Sequence, residues 1–311
     1  MTTRATWAAI TVGLSLAMAG CGGDSTSDSA AGGGDGELAG ATLTVGSKEF
    51  TESILLGKIT ALALENAGAE VEDSTGISGS ATVRAALESK EIDIYWDYTG
   101  TGWVNILGNS PTDLPDDLYE AVKTADAENG IAWLEPAPFE NAYAIATTSD
   151  FAKDNDVTTL SDAVQYIEDN PDDGVICAAS EFLNRDDGLP GLEKAYGTKF
   201  TEVNELDFNL IFTQVGESCA FGEVTTTEGR VLSQDLQILE DDKDFFLEYL
   251  GVVTLRQETL DEHPEIEEIM APISEALTND TITELNSKVD VEGQQPDDVA
   301  QEWMESEGFL G

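Results

Sequence analysis

ATLTVGSKEFTESILLGKITALALENAG, residues 41–68, opens as a strand and closes as a helix. Ala41 to Val45 is a short apolar strand that runs into the turn Gly46-Ser47-Lys48. Thr51 stands where a helix N-cap is needed. The apolar residues behind it, Ile54, Leu55, Ile59, Leu62 and Leu64, recur at helical spacing until Gly68 stops them. Working outward, a second strand is expected near Ala69–Asp73, a helix over Gly79–Leu87 and a third strand at Ile92–Tyr95. This βαβαβ order predicts a mostly parallel sheet covered by helices. The alternation resumes with a strand over Asn141–Thr148 that ends the first unit. A helix over Thr159–Asp169, a strand over Gly174–Ala178, short helices over Gly191–Gly197 and Phe208–Gly216 and a strand over Ala220–Thr225 follow. The C-terminal third reads as helices over Pro264–Leu277, Thr281–Val289 and Pro296–Glu307. Two α/β units and a helical tail predict an α/β protein of two lobes. Ligands of open α/β sheets sit at the carboxyl ends of the strands, so the site belongs in the cleft between the lobes. Such a cleft fits a binding protein and many enzymes equally.

The charge narrows the choice. In 311 residues there are 62 Asp and Glu against 14 Lys and Arg, a formal charge of -48. That field repels phosphate backbones and anionic lipid headgroups, which excludes nucleic acid and a basic membrane patch as partners. The single histidine, His263, sits in the acidic run DEHPE and has no G-x-S-x-G partner, so neither a His-rich metal site nor a Ser–His–Asp set is available. The runs at 113–117 and 240–242 read as solvated acidic faces without an ordered metal-loop pattern, and Arg84 as a solvated helix residue. Self-repulsion of this size is relieved where salt shortens the Debye length, which points to work in a saline exterior.

Trp7 to Gly20 is apolar or small throughout, too short to span a bilayer and the length of a signal-peptide hydrophobic region. It ends Leu16-Ala17-Met18-Ala19-Gly20-Cys21, which resembles a bacterial lipobox. The resemblance implies that residues 1–20 are a lipoprotein signal peptide and that Cys21 is lipidated; an ordinary secretory signal with a chance cysteine is the alternative. Residues 21–40, CGGDSTSDSAAGGGDGELAG, hold nothing that packs and read as a flexible tether with a reach of about 25 Å. The expected location is the outer face of the cytoplasmic membrane, held by a lipid anchor. With Cys21 lipidated, Cys177 and Cys219 remain. Export favours a disulfide between them; two buried free thiols are the alternative.

Six segments carry the function: VGSKEFTE (45–52), IDIYWDYTGT (92–101), NAYA (141–144), EFLNRDDGLPGL (181–192), TTEGR (226–230) and DDKDFFLEY (241–249). Together, in this order, they resemble the substrate-binding proteins of osmoprotectant ABC importers, which take up glycine betaine, choline and related quaternary amines. The resemblance runs from Thr42 to Phe309, and the pairing of GSKxFTE with DIYxxYTGT is what makes it specific. It implies a type II periplasmic-binding-protein-like fold with two crossover strands. Lobe I is then residues 42–145 and 249–311, and lobe II residues 146–248. It also implies a monomeric receptor, not an enzyme, that needs no cofactor and no metal and docks on a permease with its ATPase.

The chemistry of such a ligand can be set against the residues. A trimethylammonium cation has no N–H to donate, so aromatic faces must hold it, each contact contributing about 0.5–2 kcal/mol. The resemblance places the rings of this box at Tyr98, Tyr143 and Tyr249. Where relatives have a further aromatic just before the TTEGR motif, this chain has Thr225, so the box is three-sided or closed by another ring such as Phe221 or Trp96. Arg185 matches the carboxylate-binding arginine, suited to two parallel hydrogen bonds. An ion pair with Asp186 or Asp187 is its alternative. Ser47 and Lys48 begin the first βα turn, where a helix N-terminus favours an anion. Thr101 is placed to touch the ligand, and Ser53 stands where many relatives have glutamine. Two rival readings remain: a receptor of the same fold for an amino acid or ectoine, and an exported hydrolase working with paired carboxylates.

Overall fold

The computed structural model describes residues 36–310, and the structural statements below concern these. The signal peptide, Cys21 and most of the tether lie outside them, but its last residues do pack: Leu38 is buried in the first core and its N–H donates to the Ala67 carbonyl at 2.9 Å, so the globule begins before residue 40. Strands β1 (Thr42–Lys48), β2 (Glu70–Ile77), β3 (Ile94–Tyr98) and β4 (Ile131–Trp133) belong to the first lobe, and β5 (Tyr143–Thr148), β6 (Val175–Ala178), β7 (Glu202–Glu205), β8 (Phe221–Thr225) and β9 (Leu236–Ile238) to the second; β10 (Gly251–Arg256) returns to the first. They form two five-stranded sheets, ordered β2-β1-β3-β10-β4 and β7-β6-β8-β5-β9. In each sheet the first three strands are parallel and the fourth is antiparallel. That antiparallel strand is the one that has just crossed from the other lobe. The sheets are therefore mixed rather than mostly parallel, because each lobe borrows one strand that enters against the run of the rest.

The helix over Thr51–Asn66 shows how sequence becomes position. Its inner face buries Leu55, Leu56, Ile59, Ala63 and Leu64. They join the core made with Val45, Trp96 and the C-terminal helices, through Met270, Leu285 and Trp303. Phe50, not Thr51, occupies the N-cap; the Thr51 hydroxyl donates instead to Asp290 at 2.6 Å. The second lobe has its own core around Ile145, Ile176, Phe182 and Phe221. A disulfide joins Cys177 on β6 to Cys219 just before β8. Arg84 is not a solvated helix residue: it is buried, with both terminal nitrogens on Asp126 at 2.6 Å and Nε on Glu88.

Two segments connect the lobes, Leu134–Ala142 and Leu239–Leu250, and they pair with each other. Asn141 N–H donates to the Tyr249 carbonyl at 3.0 Å, Ala137 N–H donates to the Gly251 carbonyl at 2.9 Å, and Glu140 bridges Leu250. Gly251 has no alternative here, since a Cβ would run into the Phe139 ring. An antiparallel ribbon of this kind is a two-strand hinge: it fixes the lobes in register and leaves them free to swing.

Candidate functional site

The candidate residues come from the ends of β1 and β3, the start of β5, the segments that follow β3 and β6, and the second connecting segment. Tyr98 is the last residue of β3. Its hydroxyl donates to Glu52 Oε1 at 2.7 Å. Glu52 is fully buried at the start of the Thr51–Asn66 helix, yet it accepts three further bonds, from Asn141 Nδ2 (2.8 Å), Thr227 Oγ1 (2.5 Å) and Asn286 Nδ2 (3.1 Å). Burial raises its carboxyl above the ordinary value, and the four donors only partly pull it back. This one side chain ties the first lobe, the hinge and the Thr227 loop of the second lobe behind the ring of Tyr98.

Tyr143 opens β5, and its ring packs against Phe182 (5.1 Å between centroids) and edge-on to Tyr249 (5.5 Å, 81°). Tyr249 lies on the second connecting segment and its hydroxyl donates to Asp187 Oδ2 at 2.6 Å. The glycine of YTGT admits that ring: a Cβ on Gly100 would sit 2.5 Å from Tyr249 Cε1. Burial first, and the neighbouring carboxylates Glu52 and Asp187 second, hold the phenols of Tyr98 and Tyr249 in the protonated form.

Tyr98, Tyr143 and Tyr249 border one cavity of about 110 Å³, together with Lys48, Thr101 and Arg185. Two further rings reach it, Phe50 from the first lobe and Phe208 from the second. Neither ring named above as the closing side does so. Phe221 is buried in the second core against Phe151 and Phe200, and Trp96 in the first, where its N–H donates to Thr60. Thr225 lines the cavity itself. Ser47 stays outside: its hydroxyl donates to the Lys48 carbonyl and accepts from Gly76 N–H, so it stitches β1 to β2. Ser53 is buried and accepts from Lys48 N–H.

The two cations are already paired. Lys48 Nζ lies 2.7 Å from Asp97 Oδ1 and 4.9 Å from the Tyr98 ring centre. Arg185 is not in a surface ion pair: it is buried at the cavity, and Nε and Nη2 donate to the two oxygens of Asp187 at 2.8 and 2.5 Å. Nη1 reaches Glu181 at 2.7 Å and Nη2 reaches Thr101 at 3.3 Å. The Thr101 contact crosses from one lobe to the other. So do the bonds from Ser80 N–H and Oγ to Glu181, at 3.1 and 2.7 Å, which place a carboxylate of the second lobe on the N-terminus of the Ser80–Glu88 helix of the first. Burial pushes Glu181 up, but Lys48, Arg185 and Ser80 outweigh it and bring its carboxyl down to about 2. Glu223 goes the other way, up to about 8, driven by burial, with Glu181 adding to it and the Ala179 N–H and Arg185 opposing.

Several of these residues were not singled out from sequence. Phe50 and Glu52 lie inside the quoted VGSKEFTE motif, and only packing shows that one lines the cavity and the other anchors Tyr98. Glu223 had a signal: it is the one charge in the apolar strand FGEVT, on the same side as Phe221 and Thr225. Phe208 had none.

Against this geometry the comparisons are decisive. Residues 41–306 match the family described as the substrate binding domain of ABC-type glycine betaine transport system. The chain belongs to this family. A glycine-betaine-binding protein of Pseudomonas aeruginosa is 35% identical over 279 residues, covering 86% of this chain and 89% of that one. The ergothioneine transport permease/ergothioneine binding protein EgtU of Helicobacter pylori is 32% identical over 271 residues, covering 86% of this chain and 48% of that protein. The solved structure of apo YehZ from Escherichia coli is similar with a TM-score of 0.62 at 30% identity, over 86% of this chain and 99% of that one. The two-lobed fold is thus the type II binding-protein fold of this family.

Proposed function

We propose that this chain is the extracytoplasmic receptor of an ABC importer and that it binds a quaternary amine, such as glycine betaine or choline, in the cavity between its lobes. The observation that carries the reading is the convergence of Tyr98, Tyr143 and Tyr249, from three separate segments, on one cavity of about 110 Å³. Taking one water-sized sphere as about 10–15 Å³, this space holds a compact molecule of roughly seven to eleven heavy atoms. Glycine betaine, choline and carnitine fall in that range. The rings, with Phe50 and Phe208, enclose the methylated nitrogen, where each desolvated contact contributes about 2 kcal/mol. A ligand carboxylate is met by the N–H groups of Lys48 and Arg185 left over from their pairs and by the Thr101 hydroxyl. Closure about the hinge brings Thr101 against Arg185 and Ser80 against Glu181, and the closed form is what a permease with its ATPase recognises. No covalent step is involved.

The same proposal takes residues 1–20 as a signal peptide and Cys21 as the lipid anchor, with the tether ending before Leu38, which is buried in the first core, and holds a monomeric receptor at the outer face of the cytoplasmic membrane. The lobe bounds expected from sequence, 42–145 with 249–311 and 146–248, move to the ends of the connecting segments: lobe I is 42–133 and 251–311 and lobe II is 143–238, because β5 pairs in the second sheet from Tyr143 onward. It takes the acidic surface as an adaptation to saline surroundings. The Helicobacter pylori relative favours one second reading, ergothioneine, a trimethylammonium betaine too large for the cavity unless the lobes open further.

Calorimetric titration of glycine betaine, choline, carnitine, proline betaine and ergothioneine tests the reading. At least one of the first four is expected to bind, and Tyr98→Ala to weaken it by about 1–2 kcal/mol or more, about fivefold or more in Kd. No binding of any quaternary amine, or an unchanged Kd in the variant, sinks it.

A further inference from the structure

We propose that Glu223 sets which class of quaternary amine this cavity prefers: ionised, it favours a cation that carries no carboxylate, and protonated, it donates a hydrogen bond to a ligand that has one. The inference rests on the receptor reading above and adds a residue and a proton to it.

The geometry comes first. Glu223 stands on β8, opposite Ile145 of β5, and is 2% exposed. Oε2 accepts from the Ala179 N–H at 2.7 Å, and among the described residues no donor reaches Oε1. The side chain borders the cavity. A carboxylate this far from water needs a second partner, or it holds its proton.

Its neighbours do not supply one. From the segment after β6 come Glu181 and Arg185, with Asp187 behind the guanidinium. From β5 comes the phenol of Tyr143, and across the cavity stand Lys48, Glu49, Tyr98 and Tyr249. Lys48 is committed to Asp97, and Arg185 to Asp187 and Glu181. Glu49 accepts from Gly79 N–H and Ser78. Glu49 and Glu181 balance Lys48 and Arg185 along the wall, and Asp97 and Asp187 directly behind the two cations leave a net negative charge before Glu223 is counted. Burial, with Glu181 adding to it and the Ala179 N–H and Arg185 opposing, pushes the carboxyl up to about 8.

A ligand changes this balance, and its sign depends on the ligand. A choline-type cation brings the positive charge that the wall lacks. It stabilises the ionised form, so on binding at neutral pH the Glu223 O–H bond breaks, the electron pair stays on the carboxylate and the proton passes to the buffer. A betaine brings its own carboxylate into the same space. It is held by the protonated acid as donor and gains nothing from ionisation. Affinity for choline then rises with pH through the neutral range, by up to about tenfold per pH unit where one proton is released. Affinity for glycine betaine stays level or falls.

The test is calorimetric titration of choline and of glycine betaine between pH 6.5 and 9.5, each in phosphate and in Tris, whose ionisation heats differ. Choline is expected to bind with a buffer-dependent heat at pH 7 that reports proton release, and with a Kd that falls as pH rises. Glu223→Gln keeps an amide oxygen for the Ala179 N–H and should abolish both effects while leaving choline bound. Buffer-independent heats for choline in the unmodified protein overturn the proposal, as do proton release that survives Glu223→Gln or an equal gain with pH for both ligands. The buffer comparison uses the unmodified protein, so it stands even where the variant folds poorly. Failure of every quaternary amine to bind at any pH overturns the receptor reading itself, which the heats distinguish from a ligand that binds without moving a proton.

Discussion

Gly100 carries a requirement that its neighbours impose. The ring of Tyr249 lies where a side chain on residue 100 would begin, with Cε1, Cδ1 and Cζ all within 2.7 Å of an added Cβ. Gly100→Ala must therefore push this ring, and with it the edge-on contact to Tyr143 and the bond to Asp187. The expected result is a loss of quaternary-amine affinity of about tenfold or more with far-UV circular dichroism unchanged. Native affinity in this variant would show that the ring position does not matter. At this scale the sequence was legible where a residue's chemistry is short-ranged and singular. Tyr98, Tyr143 and Tyr249 stand out through the motifs that hold them, and all three border one cavity. It was not legible where partners decide. Nothing in ATVRAAL says that Asp126, 42 residues away, waits for Arg84, and nothing in GSKEFTE says that Ser47 turns to β2 while Glu52 turns to Tyr98.

Among the elements, the Ser80–Glu88 helix has a feature that no local rule predicts. Its first residue is capped by a carboxylate from the opposite lobe, since Ser80 N–H and Oγ both donate to Glu181. The orphan N–H groups of a helix end are normally satisfied within a few residues of chain. Here the Gly79 N–H is met by Glu49 of the same lobe, but the Ser80 N–H is satisfied only when the lobes meet, so this part of the cap is also a latch. Glu181 is held down to about 2, so the latch stays charged through the mildly acidic range and is lost only as pH falls below the ordinary carboxylate value toward 2. Glu181→Ala removes it. The expected outcome is a larger radius of gyration by small-angle X-ray scattering at neutral pH and faster ligand dissociation. Scattering identical to the unmodified protein would mean that the bonds to Ser80 do not hold the lobes. Long helices were readable from periodicity, as in Pro296–Glu307, whose bounds agree with the expectation. Strands β4, β7 and β9, of three or four residues, are too short to show alternation. Strand β10, GVVTLR, is buried almost throughout as the crossing strand and reads as a plain apolar run.

For the whole molecule the dominant quantity is the charge of -48. Most of the described lysines and arginines are already in ion pairs, and three of them, Lys48, Arg84 and Arg185, are buried in the site or the core. The exposed carboxylates thus repel one another with few cations left to intervene. At 0.01 M ionic strength the Debye length is about 30 Å, so charges on opposite sides of a lobe still interact; at 1 M it is about 3 Å and only near neighbours do. Buried pairs such as Arg185–Asp187 are screened far less, so salt relieves the repulsion between carboxylates more than it weakens the attractions that hold the site. Melting temperature is therefore expected to rise from dilute buffer to molar NaCl. The rise should exceed that from sucrose of matched water activity, which leaves charge interactions unscreened. A flat or falling melting temperature would mean that the acidic surface costs the folded state nothing, and would remove the physical ground for placing this receptor in a saline exterior.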